Sequence, residues 1–195
     1  DKIDLRNKMD KKIKVLTIGD HPLSPSGVGT QSRYVFEALL DSKKFSIISL
    51  GGAMKHHDYG PKTIEEYGGD WKIIPVDGYG TQEIIRSIIR NEKPDILWFM
   101  TDPRFFGWLW EMENEIRPLI PMVYYHVCDN YPYPTFNKLL YESTDFIATI
   151  SKVTDDIVKT VAPSVNSKYV PHAVNSNFFK PIENEELLKE FKKSV

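Results

Sequence analysis

The feature that most constrains this chain is a series of short, nearly unbroken apolar runs separated by segments of helical periodicity. The runs are Ile13–Ile18, Phe45–Leu50, Trp71–Val76, Asp95–Met100, Pro121–Val127 and Phe146–Ile150. Strands with one wet face alternate apolar and polar residues, whereas these do not, so each strand must be buried on both sides. Helical spacing falls between them. Val35, Ala38 and Leu39 recur behind a capping Thr30, and Ile84, Ile85, Ile88 and Ile89 make one stripe between Thr81 and Asn91. Phe105–Glu115, Phe136–Glu142 and Ser151–Val161 read as further helices, the last capped by Ser151 or Thr154. Gly52–Asp70 reads as a loop excursion with at most a short helix, and Lys168–Val170 as a final short strand. The alternation predicts an α/β fold, a doubly wound, Rossmann-like parallel sheet of about six or seven strands. Val15, Ile48, Leu97, Val123 and Ile147 should lie buried at its centre.

Ligands of such a sheet sit at the carboxyl ends of the strands. The segments to inspect are Gly19 to Thr30, Thr101 to Arg104, His126 to Pro134, Ser151, and Pro171 to Asn177. The strongest local feature among them is Pro25-Ser26-Gly27-Val28-Gly29-Thr30-Gln31-Ser32-Arg33. Glycines between a strand and a helix let backbone approach a ligand, and the helix start offers free N–H groups suited to a phosphate. The plainer reading is a tight loop that needs glycine for its backbone angles. A dinucleotide fingerprint fits poorly. Ser32 replaces the third glycine, the motif begins several residues after the strand, and no acid ends the second strand at Leu50-Gly51.

Along its length the chain resembles the glycosyltransferases of family 4, which have the two-domain GT-B architecture. Ser26-Gly27-Val28-Gly29-Thr30 resembles the family's glycine-rich first loop, and Lys93-Pro94-Asp95 its turn before an apolar strand. Pro121 to Pro132 is similar to its strand ending in a His-Asp pair and a Tyr-Pro turn. Thr149-Ile150-Ser151 is similar to its "Val-Ser-x-x-Thr" element. Val170-Pro171-His172-Ala173-Val174-Asn175 through Phe179-Lys180-Pro181 resembles its "Ile-Pro-Asn-Gly-Val-Asp-x-x-x-Phe-x-Pro" signature. Two departures stand out. His172 and Ala173 replace Asn and Gly, which removes a residue suited to positive φ. The His-Asp pair is interrupted, so either His126 or Cys128 holds the histidine position, with His126 favoured because it ends the apolar run.

The resemblance implies a nucleotide-sugar-dependent transferase, retaining and hexosyltransferase-like, with residues 11–178 forming the acceptor-side domain. It implies donor diphosphate at Gly27, Val28 and Gly29, and His126 with Asp129 at the reacting sugar. Thr30, Asp102, Arg104 and Ser151, at or near strand ends, are the candidate acceptor contacts. The nucleotide and most of the donor sugar would be held by a C-terminal domain carrying a Glu-x7-Glu motif, in cis or in trans. That motif has no counterpart here. Residues 179–195 read as a linker and first helix toward such a domain, so the chain is expected to be a half-enzyme, inactive alone. The alternatives are a GT-B sugar-nucleotide epimerase, which would need cleft carboxylates, and a non-catalytic binding half of a split transferase.

Composition narrows the partners. Over 195 residues the net charge is −2, with 27% charged and 41% hydrophobic residues, giving no electrostatic footprint for nucleic acid. No apolar run reaches the roughly 18 to 20 residues of a membrane span, and a peripheral membrane contact is compatible with the sequence but unsupported by it. The single cysteine, Cys128, allows no internal disulfide and suits a cytoplasmic setting as a buried thiol. Residues 1–10 read as a leader or tag remnant. No cofactor or metal is called for, since His56-His57-Asp58 reads as a solvated loop. Phe105, Trp108, Leu109, Met112 and Ile116 form an expected core stripe. Phe106 and Trp110 are expected on the other side as an exposed aromatic patch. Asp102-Pro103-Arg104 either holds a polar acceptor group or makes a surface ion pair.

Overall fold

The structure is a computed structural model that describes residues 11–194, so the proposed leader lies outside the described residues. In chain order the elements are β1 (Ile13–Asp20), α1 (Gly27–Asp41), β2 (Phe45–Gly52), β3 (Lys62–Ile64) and β4 (Gly68–Pro75). They continue with α2 (Gln82–Glu92), β5 (Ile96–Thr101), α3 (Gly107–Trp110), α4 (Glu113–Ile116) and β6 (Met122–His126). The chain ends with α5 (Lys138–Glu142), β7 (Phe146–Thr149), α6 (Lys152–Val161), β8 (Ser167–Tyr169) and α7 (Glu185–Ser194). The strands form one 8-stranded sheet in the order β3-β4-β2-β1-β5-β6-β7-β8. Every pairing is parallel except β3 with β4, which adds an antiparallel edge strand in the segment read from sequence as loop.

The two faces follow from side-chain alternation. Leu16, Ile18, Ile48, Leu50, Leu97, Phe99, Met122 and Tyr124 point to one face, where α2, α3, α4 and α6 cover them through Ile85, Ile88, Leu109, Ile116, Ile157 and Val158. Val15, Ile47, Trp71 and Ile73 point to the other, under Phe36 and Leu40 of α1. Phe36 packs edge-on against Trp71 at 6.1 Å and Trp98 at 5.1 Å. Because strand order reverses between β1 and β5, right-handed crossovers put α1 on one face and α2, α3, α4 and α6 on the other.

Val15, Ile48, Leu97 and Ile147 are buried as expected, but Val123 is only half-buried. Val123 lies on the α1 face, where α1 packs mainly on β1, β2 and β5. Capping also differs from expectation. Ser26, not Thr30, caps α1, accepting from the Gly29 N–H at 2.9 Å, so the glycines form the first helical turn.

The expected helix over 105–115 is broken. Asp102 accepts from the Arg104 N–H at 2.9 Å and starts a 3-10 turn at Pro103–Phe105. The chain that follows is split into α3 and α4, with Leu109, Met112 and Ile116 buried as expected. Phe106 and Trp110 also face inward. They pack against Phe99 at 5.1 and 5.5 Å and are 0% and 4% exposed, while Phe105 is 49% exposed. The proposed aromatic surface patch is thus core, and Phe105 leaves the expected core stripe. Among the described residues, no helix is long and apolar enough to cross a membrane.

Candidate functional site at the carboxyl edge

The carboxyl ends of β1, β5 and β6 open into a cleft of about 500 Å³. Its floor is Met100 and Val127, and the first turn of α1 supplies Ser26, Gly27, Val28 and Thr30. Tyr34, His172, Ala173, Val174 and Phe179 complete the walls. The Gly27 and Val28 N–H groups, at the start of α1, have no protein acceptor among the described residues. Two unpaired amides at the positive end of a helix dipole favour an anion. The Gly29 amide is already engaged by the Ser26 cap.

The loop before α1 is held by a relay of side chains. Tyr79 donates to Asp20 Oδ1 at 3.0 Å, and the Ser26 hydroxyl donates to Asp20 Oδ2 at 2.6 Å. Gly29 is required by close approach, since a Cβ there would stand 2.6 Å from Ser24 Oγ and 2.7 Å from the His21 carbonyl. Gly27 meets nothing within 4 Å and is exposed. The second glycine is therefore structural, and the first leaves backbone open to a ligand.

Gln31 of α1 pins the segment after β8 over this cleft, through the Ala173 carbonyl at 2.7 Å and the Ala173 N–H at 3.4 Å. The His172 ring stands edge-on to Tyr125 at 5.3 Å, and the Tyr125 hydroxyl donates to the Val170 carbonyl at 2.9 Å. Burial holds the His172 imidazole below its ordinary value and pushes the Tyr125 phenol up to about 12. No residue of this turn has positive φ among the described residues, so the missing glycine of the family signature leaves no strained position.

The remaining predicted residues are not brought together here. His126 is fully buried on the opposite face, its ring 4.8 Å from Tyr124 and its Nε2 2.7 Å from the Tyr141 hydroxyl. Its Nδ1 has no partner, and burial drops its basicity to about 3, although Asp102 favours the charged form. The expected adjacency of His126 to the glycine turn is therefore absent; its neighbour Val127 lines the cleft. Asp129 is exposed and lies outside the cleft lining; Cys128 is buried, also outside that lining, and burial pushes its thiol up.

Ser151 is used as the α6 cap, accepting from the Thr154 N–H at 3.0 Å. Asp102 and Arg104 form a two-pronged ion pair, both contacts at 2.9 Å, with the Arg104 side chain 81% exposed. Burial alone would raise the Asp102 carboxyl, but hydrogen bonds from the Arg104 guanidinium and amide hold it below its usual value. His56 bonds the Gly51 carbonyl at 2.9 Å, and no group of three or more His, Cys, Asp or Glu among the described residues is arranged to hold a metal.

Sequence reading found no signal for Tyr34 or for the pinning role of Gln31, and named Phe179 only within the family signature, not as a cleft wall. It flagged His172 only as a departure, and that departure was the available signal. No family model matches the chain, and no curated protein matches it either.

Proposed function

We propose that this chain is the acceptor-side, Rossmann-like half of a nucleotide-sugar-dependent glycosyltransferase, with the nucleotide held by a second domain. The observation that carries the reading is the pair of unpaired amides at Gly27 and Val28, opening into a walled cleft where strand order reverses. The ordered motifs resembling family 4 transferases support the same assignment. Val174, Phe178 and Phe179 are large apolar side chains left exposed around the cleft, as a surface that meets another domain would be.

In this reading the chain contributes positioning and charge stabilisation. The α1 amides hold the departing diphosphate, and His172, neutral near pH 7, donates or accepts one hydrogen bond beside it.

The test is calorimetric titration of the 195-residue chain with uridine diphosphate, alongside Gly27→Pro. Proline is compatible with the first helical position after an extended Ser26 and deletes only the amide donor. The chain alone should bind with Kd on the order of 1 mM, the affinity of a few wet hydrogen bonds, and Gly27→Pro should weaken it. It should transfer no sugar until a nucleotide-binding domain is supplied, fused or in trans. Acceptor-dependent turnover by the chain alone, or binding indifferent to Gly27→Pro, would overturn the reading.

A further inference from the structure

A second concavity lies on the far side of the sheet, at the amino ends of β5 and β6, where Pro94 and Ile120 precede those strands. It is a groove of about 540 Å³ between α2 and α4. Its floor is apolar: Ile89, Met112, Ile116 and Ile120, with Leu119 at the rim and 67% exposed. Pockets for small ligands span about 300 to 1,000 Å³ and combine an apolar lining with a few polar groups, which this groove does.

Its charges are arranged in one direction. At one end, Arg86 closes on Glu115 through two contacts of 2.8 Å, so both charges are spent. At the other, Arg90 and Lys93 are exposed and have no carboxylate partner among the described residues. The acids nearby are engaged elsewhere: Glu92 with Lys14 and Lys72, and Asp95 with Lys11 and the Lys14 amide. Lys93 is fixed in position by a left-handed backbone, φ 49°, that closes α2. Two uncompensated cations beside an apolar trough complement a ligand with an anionic head and an alkyl tail.

We propose that this groove binds a single-chain anionic amphiphile, an alkyl phosphate or fatty carboxylate, with its head on Arg90 and Lys93 and its tail along Ile89, Ile116 and Leu119. The site is independent of the transferase reading. A membrane surface fits less well, because anionic bilayers are held by clusters of about four to eight cations on an open face. Here two cations border a concavity.

The experiment titrates the full chain with dodecyl phosphate below its micelle concentration, following heat and the Met112 methyl resonance. Saturable binding is expected, weakened about tenfold or more by Arg90→Glu with Lys93→Glu, the loss of at least one charge-assisted hydrogen bond. Leu119→Asp, at an exposed position that leaves the fold intact, should weaken it as well. Equal binding of dodecyl maltoside would show that the head does not matter and overturn the proposal. So would equal binding of inorganic phosphate, binding only to anionic vesicles, or indifference to the double substitution. Lys138→Glu, on α5, should leave binding unchanged.

Discussion

Gln31 and Ala173, 142 positions apart in sequence, are joined by a reciprocal amide pair: the Gln31 Nε2 donates to the Ala173 carbonyl at 2.7 Å while its Oε1 accepts from the Ala173 N–H. This contact holds the segment carrying His172 over the first turn of α1. Gln31→Ala should cost no more than about 1 kcal/mol of global stability, since the bonds are wet. The turn itself should loosen. Amide exchange at Ala173 should accelerate and the ring-current shift of His172 on Tyr125 should shrink. An Ala173 amide that stays protected in the variant would contradict the pinning role.

The two glycines of the first turn should separate cleanly. Gly29→Ala forces a methyl to within 3 Å of Ser24 Oγ, Ser26 Oγ and the His21 carbonyl, and a destabilisation of about 1–3 kcal/mol is expected. Gly27→Ala meets open space and should stay within about 0.5 kcal/mol of the parent. Urea denaturation of both variants is the measurement; equal effects would mean the turn is built differently.

Phe106 and Phe105 are adjacent but opposite in role. Phe106 lies among Phe99, Trp110 and Tyr124, so Phe106→Ala should cost about 3–5 kcal/mol. Phe105 is half outside, touching Tyr79, and Phe105→Ala should cost about 1 kcal/mol or less. The reverse order of stabilities would restore the exposed patch expected from helical periodicity.

Acid should weaken the fold through His126. Its folded basicity is about 3 against an ordinary 6.5, so between those values the unfolded chain binds a proton that the folded chain does not. The linkage therefore makes stability full above pH 6.5 and falling as pH drops toward 3, by about 2 kcal/mol at pH 5. His21 and His172, both lowered by burial, act in the same direction. The contribution of His126 is read as the difference in pH slope between the parent and His126→Phe. Identical slopes would show that His126 is not held neutral.

The order of elements and the parallel, two-sided sheet were legible in the amino-acid sequence, because unbroken apolar runs such as Ile13–Ile18 cannot leave a face in water. So were the helix starts at Thr81 and Ser151, whose side chains accept from amides three residues on. Which side each residue faces came from the tertiary fold. Strand periodicity says that His126 and Val127 point oppositely, but only the crossovers around β6 bring Val127 to α1 and His126 to Tyr141. Phe106, just after the Asp102-capped turn, is buried together with Leu109 and Trp110, a two-sided burial that a single helical stripe does not register. The cleft wall at His172 depends on chain brought back across the sheet by Gln31. Contacts between residues so far apart in sequence leave no local pattern, because neither partner constrains its own neighbours.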